Sequence, residues 1–309
     1  DLDSHILLHH PTIAGVAELI QNSNINTTSQ DSFLKQLLPD SIVEIQTGSN
    51  LKLPLFLIHP VGGHVYFYKD LIYHLGKEQP IYGLEDSKLH GQKVEAQLVE
   101  EMAAKYVEAM LKVQSEGPYL IGGSSFGGLI AFEMANQLQK LNRKVELLVL
   151  IDTPTSEQMP VKLEKDEDII EYLAQSFFPD HSSAQKLPKH LDTHSQLSWL
   201  CEQFSNTSFF QSDLHQLQRL IEVFKVNMNA MWNYTPQPYP GRVVFFYAKE
   251  RRELYDPMYP FLPWLDLAAG GVEIQTVPGD HISMHFSPNI EVLAEKLGAY
   301  LQDLSLIHI

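Results

Sequence analysis

From residue 41 onward, short runs of β-branched and aliphatic residues alternate with longer stretches whose apolar positions recur every three or four residues. The runs SIVEIQT (41–47), PLFLIHP (54–60), PIYGLE (80–85), PYLIGGS (118–124), VELLVLID (145–152), RVVFFYAKE (242–250) and VEIQTVPG (272–279) predict strands. They are nearly continuous in hydrophobicity rather than alternating, the pattern of strands buried on both faces. Between them, 94–113 predicts a helix with Leu98, Met102, Tyr106, Ala109 and Val113 along one side. Residues 126–141 predict another, burying Ile130, Met134, Leu138 and Leu141, and 289–303 a closing helix. The expected fold is α/β: a mostly parallel central sheet with helices on both faces.

Two stretches depart from this rhythm. Residues 155–240 separate two clear strands yet carry only helical periodicity, with Leu214, Leu217, Ile221, Phe224, Met228 and Met231 at i+3 and i+4 spacing. A helical insertion of that length at a strand edge is expected to be a lid. At the other departure, residues 1–22 form a short amphipathic piece (Ile13, Val16, Ala17, Ile20), and a polar segment, NSNINTTSQDS, begins a linker over 23–40. The expected core domain is therefore 41–303.

Candidate chemistry gathers at the C-terminal ends of the strands. Gly123-Ser124-Ser125-Phe126-Gly127 is a G-x-S-x-G between an apolar strand and a helix. A nucleophile on so sharp a turn needs small residues two positions to either side, and the helix N-terminus beneath it offers backbone N–H groups to a developing oxyanion. Ser125 is the expected nucleophile, with Ser124 a weak competitor. His59-Pro60-Val61-Gly62-Gly63-His64 follows the LFLI run, where a second oxyanion donor belongs. We expect the Val61 and Phe126 N–H groups as the donors, Gly62, Gly63 and His64 as substrate-binding residues, and His59 as a residue that orders its loop. Gly279-Asp280-His281 ends the last strand run, the place of the base in the chain order serine–acid–histidine; His285 is the alternative. The acid has two candidates. Asp152 directly ends an apolar strand, where its carboxylate can be held rigidly. Asp256, in the Glu253–Asp256 region after RVVFFYAKE, is expected to be solvated in a polar loop. Asp152 is preferred, and Asp280 is expected only to cap its turn.

Composition narrows the function. The chain has 309 residues with a formal net charge of −16, which argues against nucleic acid and anionic lipid, both of which call for a basic face. One cysteine, Cys201, allows neither an internal disulfide nor a thiolate zinc cluster and suits a reducing, cytoplasmic setting. None of the 14 histidines stands in a metal-binding motif, so no metal is expected. No apolar run approaches the length of a membrane span.

Taken in order, HPVGG, GGSSFGG, LIDTPT and GDHISMHF resemble the type I thioesterase domains of polyketide synthases and nonribosomal peptide synthetases, members of the α/β-hydrolase fold. The resemblance covers about residues 41–303. It implies Asp152 as the acid, a lid after it, and release of an acyl or peptidyl chain, through an acyl-serine, by hydrolysis or macrocyclisation. It also implies no bound cofactor; the substrate would ride on the phosphopantetheine of an acyl or peptidyl carrier domain in the same polypeptide. His64 departs from the family pattern, where a smaller polar residue is expected. ILLHHPTIAGVAELI (6–20) resembles the last helix of such a carrier domain, whereas LSLIHI (304–309) matches the translation of a sequencing-library adapter and is expected to be non-native. The rival expectations are a free-standing editing thioesterase, a carboxylesterase or lipase, and a non-catalytic binding module on the same fold.

Overall fold

A computed structural model describes residues 38–178, 187–205 and 213–307. The carrier-like segment 6–20 and most of the linker lie outside them. The seven expected strands all form: β1 Ile42–Gln46, β2 Leu55–Ile58, β3 Ile81–Leu84, β4 Tyr119–Ser124, β5 Val145–Ile151, β6 Val243–Ala248 and β7 Val272–Val277. They make one sheet in the order β1-β3-β2-β4-β5-β6-β7. Only β1 runs antiparallel to its neighbour; every other pairing is parallel.

Continuous hydrophobicity in the strands is explained by what covers them. All four residues of β2 are fully buried, but Phe56 and Ile58 enter one apolar cluster while Leu55 and Leu57 enter the other. Pleating sends successive side chains to opposite faces, so a central strand with a core on each side leaves no position for a polar residue, whereas the edge strands β1 and β7 keep Glu44, Gln46, Glu273 and Gln275. One core is closed by α1 (Lys69–Leu75) and α8 (Asn289–Ile307). The other is closed by α2 (Val99–Val113), α3 (Phe126–Lys140) and the helices of the insertion. α8 continues through Leu304, which packs partly buried against the first of these cores.

Two predicted helix faces are shorter than the spacing implied. Leu98 is the N-cap of α2 and 50% exposed, and Leu141, the C-cap of α3, is 55% exposed. Helical periodicity extended both stripes by one turn, but the chain leaves the sheet surface there and neither side chain has a core to enter.

Among the described residues, the 155–240 stretch contains no strand. It carries α4 (Asp166–Phe177), α5 (Thr193–Ser205) and α6 (Leu214–Asn233), and α7 (Leu262–Leu267) follows β6. The predicted stripe of α6 is buried at Leu217, Ile221, Phe224, Met228 and Met231. An N-cap Asp213 accepts from the Gln216 N–H, and Gln216 reciprocates to the Asp213 N–H, fixing where the helix starts.

α3 crosses the strand ends at very short range. A Cβ added to Gly127 would lie 2.4 Å from the Ile58 carbonyl oxygen, and one on Gly128 would lie 1.9 Å from Thr153 Oγ1. This contact with a stiff β-branched side chain generates a test. Gly128→Ala should lower stability by about 1–3 kcal/mol through overpacking, measured by denaturant unfolding, and Thr153→Ala in the same chain should return part of the loss.

Candidate active site

Each candidate side chain leaves the sheet at the C-terminal edge of a parallel strand. β4 ends at Ser124, and Ser125 turns into α3 with φ 54 and ψ −122. A non-glycine residue held there is strained, and such strain persists only where the surroundings impose it. Here the Ser125 N–H donates to the Ile151 carbonyl at 2.9 Å and the Ser125 carbonyl accepts from Gly128 N–H at 3.0 Å. Phe126 is the first residue of α3, so its amide has no intrahelical acceptor.

β5 ends one strand over, and Asp152 is likewise strained, at φ 45. Its N–H donates to the Phe246 carbonyl at 2.8 Å. Its carboxylate is 1% exposed and fully engaged. Oδ2 accepts from His281 Nδ1 at 2.7 Å and from Arg251 at 2.8 Å; Oδ1 accepts from Arg251 at 2.6 Å and from the Ala248 N–H at 3.0 Å. Burial alone would raise its pKa, but the hydrogen bonds from His281 and Arg251 outweigh it and hold the carboxyl at about 2. Trp264, itself fully buried, donates to the Thr153 carbonyl at 2.8 Å and steadies the chain just after Asp152.

His281 follows β7 on a turn that Asp280 does cap: its Oδ1 accepts the N–H groups of Ile282 and Ser283, each at 2.9 Å. The structure thus brings Asp152 and His281 into direct contact, and Ser125 and His281 line the same cavity.

Asp256 requires a correction. It is 7% exposed rather than solvated. Arg252 grips it through Nε at 3.1 Å and a terminal nitrogen at 2.8 Å. It reaches His281 only at the backbone N–H, 3.5 Å away. The polar loop folds back under α4, where Arg252 also bonds Ser176 Oγ and sits over the Tyr172 ring. Neither Arg251 nor Arg252 stood out in the sequence, since nothing local to RRE indicates a buried carboxylate partner.

The loop after β2 is held from below. His59 is fully buried; its Nδ1 bonds the Pro60 carbonyl at 2.7 Å and its Nε2 the Tyr106 hydroxyl at 2.7 Å. The Pro60 carbonyl also accepts from Gly63 N–H at 2.9 Å. In a planar trans peptide the N–H opposes the carbonyl, so these two bonds turn the Val61 N–H the other way. Asn227 of α6 donates to the Val61 carbonyl at 3.0 Å and to Asp86 at 3.2 Å, tying the insertion to the loop. Gly63, at φ +88, could not carry a side chain without meeting Leu89 at 2.8 Å. His64 bonds buried Glu85 at 3.2 Å, and Glu85 pairs with His90 at 2.7 Å. Burial would raise the Glu85 carboxyl, but its two histidine partners hold it well below the usual range.

The two rejected candidates are each other's partners: Ser124 Oγ and His285 Nε2 share a hydrogen bond of 2.9 Å, and both residues are no more than 1% exposed. Burial, reinforced by nearby His281, depresses the His285 pKa to about 3.

A cavity of about 110 Å³ opens beside Ser125 and His281, lined by Val61, Gly62 and His64 and by Tyr66, Phe67, Tyr172, Phe177, Phe204 and Phe224. A second, of about 30 Å³, shares Val61, Ser125, Tyr172, Phe224 and His281 and extends toward Met159, Met228 and Met231. Among the described residues no cluster of three or more histidine, cysteine or acidic side chains could hold a metal, and no helix is long and apolar enough to cross a membrane.

Two measurements test these electrostatics. Arg251 is one of the two partners that hold the Asp152 carboxyl down. Arg251→Met should therefore raise the Asp152 pKa and lower any Ser125-dependent rate, read by fluorophosphonate labelling at neutral pH. For stability, the unfolded chain protonates His285 near pH 6.5 while the folded chain stays neutral down to about 3. Between those limits the unfolded state binds more protons, so stability falls as pH falls. The unfolding free energy of wild type relative to His285→Leu should be constant above pH 7 and decline by up to about 1.4 kcal/mol per pH unit below about 6.

Comparison with known proteins identifies the family. The family described as "Thioesterase domain" matches residues 53–301. The chain is 28% identical over 301 residues to a dimodular nonribosomal peptide synthase of Bacillus subtilis (strain 168), covering 97% of this chain and 12% of that protein. It is 26% identical to malpibaldin synthetase of Mortierella alpina, covering 98% of this chain and 5% of that one. It therefore spans a small fraction of the relatives it matches. Among solved structures, the four-domain nonribosomal peptide synthetase holo-AB3403 aligns with a TM-score of 0.73 at 24% identity, over 97% of this chain and 22% of that chain. The Vlm2 thioesterase domain carrying a dodecadepsipeptide aligns at 0.61 and 23% identity, over 84% of this chain and 97% of that chain. With a family match that runs from β2 into α8 and a fold shared with solved thioesterase domains, the chain has the α/β-hydrolase fold and belongs to the thioesterase domain family.

Proposed function

We propose that this domain releases an acyl or peptidyl chain from a carrier-bound thioester, with Ser125 as nucleophile, His281 as base and Asp152 as the acid that orients it. One observation carries the assignment: a strained serine and a histidine bonded to a buried carboxylate face one apolar cavity. His281 takes the Ser125 proton as Oγ attacks the thioester carbonyl. The Val61 and Phe126 N–H groups receive the oxyanion. The carbon–sulfur bond then breaks, and the departing thiolate takes the proton from His281. Water, or a hydroxyl or amine of the bound chain, attacks the acyl-serine and regenerates Ser125.

The carrier is proposed to belong to the same polypeptide. The synthetase matches cover 97% and 98% of the chain, more than the 53–301 matched by the thioesterase family alone, and residues 6–20 resemble a carrier helix. The insertion 155–240 acts as the lid, since α4, α5 and α6 supply the aromatic wall of the cavity. The setting is proposed to be cytoplasmic.

The cavity also constrains the acyl group. Among the described lining residues of the larger cavity none is aspartate, glutamate, lysine or arginine, whereas the smaller one includes Arg252 and Asp256, already paired with each other. A charged group in the larger cavity loses its hydration with no partner to replace it, so an acyl portion held there is uncharged and apolar or aromatic. Ser125→Ala should abolish labelling by a fluorophosphonate, and N-acetylcysteamine thioesters should be cleaved faster than matched oxygen esters. Among thioesters, phenylacyl or branched acyl groups should exceed succinyl or lysyl analogues by at least about tenfold in kcat/KM, the scale of discrimination an apolar pocket provides. Preference for simple alkyl esters would place the protein among carboxylesterases instead.

A further inference from the structure

Ser124 and His285 have no part in the proposed mechanism, yet they are among the most buried polar residues beside it, at 1% exposure each. Their neighbours show what they join. The Ser124 N–H donates to the Tyr68 hydroxyl at 2.8 Å, and that hydroxyl donates to the Ile58 carbonyl at 2.6 Å. Ile58 ends β2 and leads directly into the loop bearing Val61. Ser124 ends β4 and precedes Ser125. His285 closes the short 3₁₀ turn Ser283–His285, one turn after His281, and its ring packs on Phe67 at a centroid distance of 4.4 Å. The other imidazole nitrogen, Nδ1, is buried without a partner among the described residues. The Ser124 bond is thus the polar contact that defines where this ring sits.

From this we infer that the chain Ile58 carbonyl–Tyr68 hydroxyl–Ser124–His285 is a positioning frame that sets the mutual placement of nucleophile, oxyanion amide and base. Neither Ser124 nor His285 touches the reacting atoms. Asp152 orients the His281 ring from the β5–β6 side, whereas the frame anchors the far end of the His281 turn to the residue before the nucleophile. Apart from that anchor the turn is held through Asp280, through Asn289 on the Ser283 carbonyl, through the Glu250 N–H on the Gly279 carbonyl and through the Asp152 and Asp256 contacts of His281, and none of these reaches β4. Misplacement by an ångström costs an attack geometry on the order of a hundredfold. Each link of this buried chain resists such drift because breaking it strands a polar group away from water.

The inference rests on the proposed Ser125 chemistry, and the test separates the two. The full chain is compared with Ser124→Ala, His285→Leu, the double variant, and His285→Gln, whose amide can still bond Ser124 Oγ. The end-point of fluorophosphonate labelling counts competent molecules, and the labelling rate reads the placement of Ser125, His281 and the oxyanion amides without any thioester. Loss of folded protein lowers the end-point alone. The frame predicts that both single variants label about 10–100-fold more slowly per competent site. The double variant should be no slower than the slower single one, because both break one interaction, and His285→Gln should recover to within about threefold of wild type. On an N-acetylcysteamine thioester, kcat should fall in parallel while KM stays within about threefold. The acid limb of the labelling rate should stay in place, because no charge is removed. Rates per site within twofold of wild type, multiplicative effects in the double variant, or no recovery with glutamine would overturn the frame. A displaced acid limb would make His285 a proton-transfer group and overturn it as well. If wild type labels at Ser125 but cleaves no thioester, the proposed function fails while the labelling series still decides the frame.

Discussion

A carboxylate removed from water at the end of a strand must be paired or it will not remain ionised. Asp152 is in that position, and much of the site is arranged around its two oxygens. One oxygen fixes His281; the other takes the Ala248 amide that would otherwise be left unpaired at the end of β6; Arg251 spans both. The strained backbone at φ 45 is tolerated because the sheet bond to Phe246 and the side-chain bonds leave the residue no cheaper arrangement. β5, β6 and the turn after β7 therefore meet at one side chain, and His281, the proposed base, is oriented by the sheet.

The same economy governs Ser125. α3 approaches the strand ends so closely that only glycine fits at 127 and 128, and that approach brings the helix N-terminus under Ser125. The amide of Phe126 is then available because of where the helix starts, and the amide of Val61 because His59 and Gly63 occupy the carbonyl on its peptide. Helix α6 adds a constraint from above: Asn227 reaches down to the Val61 carbonyl. Movement of the insertion is in this way mechanically linked to the loop that carries Val61, the proposed oxyanion donor.

Apolar walls around charged machinery explain the division of labour in the cavity. The aromatic residues from the insertion exclude water from the side where an acyl group would lie, whereas Arg251 pairs with Asp152, Arg252 pairs with Asp256 at the edge of the second cavity, and Glu85 pairs with His64 and His90. The Asp152 carboxylate acts on the position of His281.

What could be read from the sequence was whatever depends on neighbours along the chain. Strands buried on both faces show as unbroken apolar runs, the elbow at Ser125 shows in glycines two residues either side, and His281 shows by standing just past the last strand. Those signals rest on pleat, steric room and chain order, which are local properties. Asp152 was preferred on the same ground, as the residue that ends an apolar strand. The pairings could not be read there, because they join residues far apart: Ser124 with His285 across 161 positions, Arg251 with Asp152 across 99, Asn227 with Val61 across 166. Local polarity even pointed the wrong way for Asp256, whose loop looks solvated until Arg252 and α4 enclose it. Ser124 and His285 each looked like a lesser competitor for a catalytic role. Only the packing of four strand ends and one turn made them partners, since a hydrogen bond between buried groups is decided by where the chain places them, and that depends on the whole fold.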